Sequence, residues 1–262
     1  MKKKYVLATT VAATLLYLFF FIATTPASWI VVGIEQAGLP VEVTATNGTI
    51  WSGDAEVKLR PVQNKAIDLG AVRWKINPLY LLVGKIGCTF SVRHTEHHAA
   101  GRAIVGLHSI RLRRLEVTLP FTTLYDIYPP ASLSGIRGVA RASIENLLLG
   151  TEQVAVAGEI RMDQLVSNMF GPDPFGSYLI VLSSKNNELL GEIRTNEGKL
   201  MVNGSGSWKP KKSGEAQFNG TVKSLVPNPG LDTLVRQLGK PTANGSVRIQ
   251  WKGRISPPKF KW

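Results

Sequence analysis

The sequence predicts a mainly β protein that carries one apolar helix at its N-terminus, and three observations support this prediction. Apolar and polar residues alternate in many short segments; Val247, Ile249 and Trp251, for example, share one face of a strand. Turn signals such as Asn244-Gly245 separate these segments. The N-terminal region contains no charged residue between Lys4 and Glu35. We therefore expect a single membrane helix followed by an antiparallel β domain with a few short helices.

The composition limits the classes of protein to which this chain can belong. The 262 residues include 31 Lys and Arg against 18 Asp and Glu, which gives a net charge of +13. Charged residues make up 19% of the chain, below the ~25% that is typical of soluble domains. This balance excludes a disordered tail and argues against a cytosolic soluble enzyme. Because Cys88 is the single cysteine, an intramolecular disulfide framework and a multi-cysteine metal site are excluded.

Residues 5–23 are predicted to form an uncleaved transmembrane anchor. They are apolar apart from three threonines, and as a helix they would cover roughly 28 Å, close to one hydrocarbon core. Pro26 would end or kink the helix, and Trp29 lies where an interfacial aromatic residue is expected. A cleaved signal peptide is the alternative, but its apolar stretch is shorter and Thr25-Pro26-Ala27 is a poor cleavage site. A helix buried in a soluble protein would have to be enclosed on every side.

The positions of the basic residues predict the orientation of this anchor. Lys2, Lys3 and Lys4 precede the apolar stretch, and no Lys or Arg follows it until Lys58. Residues 1–4 are therefore expected in the cytoplasm, residues 5–23 in the bilayer and residues 24–262 across the membrane. Nucleic acid is not an expected partner on that side. The positive charge favours anionic lipid or an acidic protein, with a merely solvated surface as the plainer alternative.

Strand and turn patterns continue through the rest of the chain. Three short helices are predicted at residues 29–37, 121–127 and 231–238, and the last is expected to plug the end of a sheet because its apolar residues recur at helical spacing. Strands are predicted at residues 55–59, 71–76, 115–119, 178–182, 216–222 and 245–251. The predicted turns are Asn47-Gly48, Asn186-Asn187, Glu197-Gly198, Asn203-Gly204, Asn219-Gly220 and Asn244-Gly245.

The sequence offers few residues for catalysis. His94, His97 and His98 form the one potential metal cluster, with Glu96 between them and His108 further on. In a strand, only residues 94 and 98 would share a face, so we interpret the cluster as a polar hairpin tip. Nucleophile, phosphate-binding and paired-carboxylate motifs are missing, and Cys88 is interpreted as a small buried hydrophobic residue. We expect no enzyme activity, no metal and no cofactor; a hydrolase using His94 and His98 is the alternative.

Two tryptophans lie close together in the sequence, each beside a turn signal. Trp51 follows Asn47-Gly48, and Trp74 alternates with Val72 and Ile76. Large rings on neighbouring strands could stack between two sheets, so core packing is the expected role. An exposed aromatic surface for a partner is the alternative.

These residues carry a family resemblance. Gly48-Thr49-Ile50-Trp51-Ser52-Gly53, followed by Trp74-Lys75-Ile76-Asn77-Pro78-Leu79, resembles the type II secretion system protein N family. The anchor, the chain length, Leu133-Ser134-Gly135 and the stretch from Leu238 to Trp251 fit the same pattern. The resemblance implies an accessory protein of the inner membrane, with a short cytoplasmic N-terminus and a periplasmic β domain. The motif residues with an implied structural or partner-binding role are Gly48, Thr49, Trp51, Gly53, Trp74 and Pro78.

The resemblance also implies how such a protein acts. Export of folded proteins from the periplasm would depend on docking between this chain and other secretion-system subunits, and no catalytic residue is carried over. The β domain is similar, more distantly, to the AsmA-like group, in which the sheet curls into a groove with an apolar lining. That similarity implies the alternative function, binding or transfer of lipid in the cell envelope. A closed sandwich would bury the apolar face, whereas a curled groove would leave it accessible.

Overall fold

The described residues form an antiparallel sheet of thirteen strands in which each strand pairs with the next strand of the chain. This computed structural model describes residues 2–36, 41–59, 67–123, 135–151, 153–168, 170–210 and 214–255. The strands are β1 (Val41–Gly48), β2 (Ser52–Leu59), β3 (Ile67–Asn77), β4 (Ile86–Arg93), β5 (His98–Gly106), β6 (Ser109–Pro120), β7 (Ile136–Gly150), β8 (Val154–Ser167), β9 (Gly171–Lys185), β10 (Glu188–Gly198), β11 (Leu200–Trp208), β12 (Glu215–Ser224) and β13 (Val247–Arg254). The predicted mainly β, antiparallel class is confirmed.

Two helices precede the sheet. Helix α1 (Lys2–Ala23) includes the whole of the predicted apolar segment, and α2 (Ser28–Gln36) follows it. The Thr14 hydroxyl in α1 donates to the Thr10 carbonyl one turn earlier at 2.9 Å. Among the described residues, none forms a helix that is sufficiently long and apolar to cross a membrane. The membrane span and its orientation therefore stay predictions.

The other predicted helices have different outcomes. A 3-10 helix, Pro78–Val83, joins β3 to β4, and α3 (Pro229–Leu238) joins β12 to β13. The helix predicted at residues 231–238 is thus confirmed, and the one predicted at 29–37 corresponds to α2. Residues 121–123 are helical. Residues 124–127, 133 and 134 lie outside the described part of the chain.

Helix α3 packs against one end of the sheet and forms the main buried cluster with it. Leu231 and Val235 from α3 are buried against apolar side chains of five strands. Asn228 begins the helix, because its side-chain oxygen accepts a hydrogen bond from the Leu231 amide at 3.0 Å. The expected role as a plug is confirmed. The strand residues in this cluster are Leu165, Phe175, Tyr178, Leu200, Val222 and Val247.

The two faces of the sheet differ in chemistry. Strand β3 shows the pattern, with Val72, Trp74 and Ile76 half-buried on one face and Arg73 and Lys75 exposed on the other. Because side chains alternate along a strand, the paired strands continue one apolar face and one polar face across the sheet. The chain exposes 17572 Å² in total, against roughly 11,000 Å² for a compact monomer of this mass. The open sheet, whose apolar face no second sheet covers in the described part of the chain, and the exposed side chains of α1 both contribute to the difference.

Two predicted turns are wrong. Asn203-Gly204 and Asn219-Gly220 lie inside β11 and β12, where Gly204 pairs directly with Gly220. The ring of Phe218 lies over both glycines, and a Cβ atom at Gly204 would come within 2.7 Å of that ring. The glycines therefore make room for an aromatic ring rather than for a chain reversal. The predicted turn Asn186-Asn187 does join β9 to β10, with positive φ at both residues.

Candidate functional site at the helix–sheet junction

The motif residues 48–53 form the tight connection between β1 and β2. The Thr49 amide donates to the Ser52 carbonyl at 2.9 Å, and Gly48 has a φ of 90°. A Cβ atom at Gly48 would lie 2.4 Å from the Ser52 oxygen, and one at Gly53 would lie 2.4 Å from the Asn47 oxygen. Both positions therefore require glycine, because the backbone of the partner strand occupies the space of any side chain.

This connection, which we call the junction, holds the chain that leaves helix α1. The Ile50 amide donates to the Thr25 carbonyl at 3.0 Å, and the Ala27 amide donates to the Gly48 carbonyl at 3.1 Å. The indole Nε1 of Trp51 donates to the Ile22 carbonyl at 2.8 Å. Carbonyls in the last turn of a helix have no partner within the helix. The motif therefore ends α1 and fixes it to the first hairpin of the sheet.

Trp74 connects the junction to the third strand. Its Nε1 donates to the Ile50 carbonyl at 3.1 Å, and its ring abuts Gly53, whose Cβ would lie 2.7 Å from it. Trp51 and Trp74 do not stack between two sheets, because the described residues form one sheet and each indole binds a backbone carbonyl. Both rings are half-buried, so their packing and their hydrogen bonds act together at the junction.

Pro78 begins the 3-10 helix beside the junction. The Asn77 side-chain oxygen accepts a hydrogen bond from the Leu79 amide at 3.0 Å, and Gly84 ends the helix with a φ of 65°. The proline suits a first helical position because its missing N–H would be unpaired there. The helix leaves Leu79, Leu81, Leu82 and Val83 exposed; we call these four residues the apolar knuckle.

A basic groove lies on the polar face beside the junction. It has a volume of about 550 Å³ and extends from Ser52 across strands β3 to β6. In the register of the sheet, Ser52 pairs with Lys75, Lys75 with Thr89, Thr89 with Arg102 and Arg102 with Arg113. We call Lys75, Arg102 and Arg113 the cationic row. All three side chains are exposed.

The charges of this groove are not balanced within the fold. Arg102 lies directly opposite Arg113, and like charges in facing positions destabilise a sheet. The groove also contains Arg73 and Arg114, with Glu116 as its carboxylate. Among the described residues, the ion pairs do not include any residue of the cationic row. The row can therefore receive an external anion without first breaking an internal pair.

A β-bulge adds a further cation to the groove. On β6 the paired residues Arg113 and Glu116 are three positions apart. Their partners on β5, Arg102 and Ala100, are only two positions apart. Arg114 is the extra residue and has a φ of 49°, a conformation that costs energy for a residue with a side chain. As a result Arg113 and Arg114 both line the groove. Bulges commonly redirect side chains in this way.

The histidines form the predicted hairpin tip. Residues 94–97 connect β4 to β5, and the His94 amide donates to the His97 carbonyl at 3.0 Å. The rings of His94 and His97 stack with centroids 4.4 Å apart, whereas His98 Nδ1 lies 3.0 Å from the Val92 oxygen. The expectation that His94 and His98 would share a face is wrong, because residue 94 is already in the turn. The described residues contain no group of three metal-binding side chains.

Cys88 lies near the start of β4, at the junction end of the sheet, where it pairs with Ile76. The thiol is half-buried, and burial raises its pKa above the ordinary value, with a smaller opposing effect from a hydrogen bond to the Lys75 backbone. A raised pKa keeps the thiol protonated at neutral pH, which makes it a poor nucleophile. The residue is less buried than the sequence led us to expect.

The fold and the junction together define the class of protein. In its described residues the chain is a single-sheet β protein, and its first hairpin holds an N-terminal helix through a motif of glycine and tryptophan residues. The family described as type II secretion system protein N matches residues 40–250. The chain belongs to this family, which confirms the resemblance seen in the motif. The match includes all six motif residues and the whole of strands β1 to β12.

A named relative supports the same assignment. Type II secretion system protein N of Aeromonas hydrophila is 24% identical over 260 residues, which cover 91% of this chain and 94% of that protein. No solved structure has significant similarity to the chain.

The sequence did not reveal the cationic row or the apolar knuckle. Lys75, Arg102 and Arg113 are far apart in the chain, and only the strand register brings them side by side. The spacing of Arg73 and Lys75 did contain part of this information, because it predicts two cations on one face of a strand. The bulge at Arg114 has no comparable signal in the sequence.

Proposed function

We propose that this chain is an inner-membrane subunit of the type II secretion system that acts by binding other subunits. Membership of the N family supports this assignment. In this proposal α1 is the single-pass anchor, Lys2, Lys3 and Lys4 keep the N-terminus in the cytoplasm, and the sheet lies in the periplasm. The absence of charge from residue 5 to residue 34 supports the anchor.

The junction is the observation that most directly supports an anchoring role for α1. Trp51 binds the last turn of α1, and Gly48 and Ile50 bind the chain directly after it, through the hydrogen bonds described above. A helix that served only as an export signal would need no such attachment to the mature domain. We infer that the position of the sheet relative to the membrane is part of the function, since the anchor raises the local concentration of the domain at its partners.

Strand β13 supplies the docking edge in this proposal. In the described part of the chain it pairs with β12 alone, whereas α2 lies beside the opposite edge strand, β1. An unpaired edge can accept an extended segment of another protein as an additional strand. Trp251 is about half exposed on this strand and offers apolar contact area. Arg248 and Lys252 guard the edge against non-specific pairing.

Crosslinking in the native membrane tests this proposal. A photoreactive residue at Gln250 on β13 is compared with one at Ala71 on β3, an interior strand. We expect adducts with other secretion-system subunits at position 250 and none at position 71. Equal crosslinking at both positions, or lipid adducts alone, would exclude the edge as the docking site.

A second test addresses the anchor. A cleavable export signal that ends before Phe21 would release the domain while keeping the Ile22 carbonyl that binds Trp51. We expect the released protein to be folded and unable to restore secretion in a strain that lacks the wild-type chain. Full restoration at normal expression would show that anchoring is not required.

Lipid binding is the second candidate, and the single-layer sheet is the observation that favours it. The apolar face that bears Val72, Val92, Leu115 and Val117 is half-buried, and no second sheet covers it in the described residues. Such a face fits acyl chains, as in the AsmA-like alternative. Phospholipid retained in a fixed ratio after delipidation would support this role, and a lipid-free, fully folded protein would contradict it.

A further inference from the structure

We propose that the junction end of the sheet is a membrane-contact surface that binds anionic phospholipid headgroups. The surface combines the cationic row with the apolar knuckle and Leu107. This inference rests on the proposed membrane anchoring by α1, and it goes further by assigning a second, independent membrane contact to the β domain. Its occupant is the bilayer that holds α1, and specifically the phosphate groups of its anionic lipids.

The topology brings these features to one end of the sheet. The antiparallel order places the β1–β2, β3–β4 and β5–β6 connections together. These connections are the junction, the 3-10 helix with the apolar knuckle, and the turn that contains Leu107. Because Trp51 binds Ile22 at the end of α1, a membrane that contains α1 would lie against this end.

The apolar side chains at this end are unusually exposed. Leu82 is 84% exposed and Leu107 is 80% exposed. Nothing in the described part of the chain covers the knuckle, although soluble proteins seldom expose several adjacent large apolar residues. Apolar side chains of this kind insert into the boundary between headgroups and acyl chains, to a depth of about 5–10 Å.

The cations lie at the depth that headgroups would occupy. Lys75 precedes Asn77, the last residue of β3, by two positions, and two residues of strand span roughly 7 Å. Lys75 is therefore set back from the knuckle, which begins beyond Asn77, by at least this distance. Lys75, Arg102, Arg113 and Arg114 then face the phosphate layer, and each cation near such a surface is expected to strengthen binding roughly fivefold.

The bulge and the facing arginines support an anionic ligand in particular. Arg102 opposite Arg113 and the positive φ of Arg114 both cost stability. Neither feature is required to form the sheet, which contains many regular pairs. A row of phosphate groups would relieve the repulsion, and guanidinium groups bind phosphate through two parallel hydrogen bonds. An acidic protein segment would match the charges but would leave the knuckle and Leu107 exposed.

Fluorescence of the full chain in nanodiscs tests the surface. The chain carries Cys88→Ser and one new cysteine with an environment-sensitive dye, either Leu82→Cys in the knuckle or Leu225→Cys as the control. Leu225 is 51% exposed at the opposite end of the sheet. In discs that contain phosphatidylglycerol we expect a blue shift and at least threefold stronger quenching by lipid-chain quenchers at position 82 than at position 225. Equal quenching at both positions would overturn the proposal.

A variant without the cationic row tests whether the membrane contact depends on headgroup charge or only on the closeness of the domain to the bilayer. In Lys75→Gln/Arg102→Gln/Arg113→Gln we expect the quenching at position 82 to fall to the level seen in discs of phosphatidylcholine alone. The matched control, Arg161→Gln/Lys185→Gln/Arg194→Gln, removes three exposed cations from strands β8 to β10 and should leave the quenching unchanged. An unchanged signal in the first variant would refute the role of the cationic row.

Two further outcomes distinguish this proposal from the proposed function. If the full chain does not stay in the nanodisc, α1 is not an anchor, and both proposals fail. If the chain stays but position 82 remains in water, only the membrane-contact surface fails. A photoreactive residue at position 82 in native membranes should give lipid adducts, and a single protein adduct instead would show that the surface binds a protein.

Discussion

The indole of Trp51 donates a hydrogen bond of 2.8 Å to the carbonyl of Ile22, a residue 29 positions earlier in the chain. Through this contact a side chain of the first β connection completes the last turn of helix α1. Replacing Trp51 with phenylalanine keeps an aromatic ring and removes the donor, which costs about 1 kcal/mol. We expect amide exchange at residues 24–30 to become roughly fivefold faster. Trp208→Phe is the control, because Trp208 donates to the Ile255 carbonyl elsewhere, and equal effects on residues 24–30 would contradict the prediction.

Gly53 has no room for a side chain. In Gly53→Ala the new Cβ would lie 2.4 Å from the Asn47 oxygen and 2.7 Å from the Trp74 ring, so the junction must shift. We expect the free energy of unfolding to fall by about 2 kcal/mol or more. Gly191→Ala is the control, since its Cβ would meet only a Leu182 methyl group at 3.7 Å. Thermal denaturation compares the two variants, and similar melting temperatures would show that the junction tolerates a side chain.

Leu231 is completely buried at the end of the sheet. Leu231→Ala should cost 2–5 kcal/mol, because the cavity it leaves is lined by side chains from several strands. Leu238→Ala removes the same atoms from a residue of the same helix that is 43% exposed, and it should cost much less. Chemical denaturation measures both changes. Equal losses would mean that α3 contributes through its helical structure rather than through its packing.

Tyr178 makes the free energy of unfolding depend on pH in the alkaline range. Its hydroxyl is buried and donates to the Leu200 carbonyl at 2.9 Å, and burial raises its pKa far above the usual value. The folded state therefore favours the neutral phenol, and this stabilisation is complete below pH ~10 and lost as the pH rises above it. We expect Tyr178→Phe to be less stable than wild type by about 1–3 kcal/mol at pH 7.

The pH dependence provides the internal control for Tyr178. Above pH 10 the free energy of unfolding of the wild type should fall more steeply with pH than that of Tyr178→Phe, so the two curves converge. Parallel curves would show that Tyr178 ionises in the folded state as readily as in the unfolded chain.

Periodicity predicted much of this fold. Alternation identified strands such as β3 and β9, and helical spacing identified α3 together with its position at the end of the sheet. The Asn-Gly pairs inside β11 and β12 were mistaken for turns, because the reason for those glycines is the ring of Phe218. Local sequence does not show that a glycine faces an aromatic side chain on a neighbouring strand.

The site was predicted less completely than the fold. Glycine and tryptophan spacing identified the junction residues, but their hydrogen bonds to α1 depend on contacts between distant parts of the chain. The cationic row depends on register across four strands, which one shifted residue would destroy. Sequence patterns report the face of a strand on which a residue lies, and not its neighbours on other strands.

The sequential pairing of the thirteen described strands also permits the protein to fold in chain order. Each strand finds its partner next to it in the chain, so hairpins can be added one at a time, from the N-terminus onward, as a chain emerges from a ribosome or a translocation channel. The buried cluster forms last, because Leu231, Val235 and Val247 come from the final helix and strand. Until those residues arrive, the nascent sheet has paired backbones but lacks its main buried cluster.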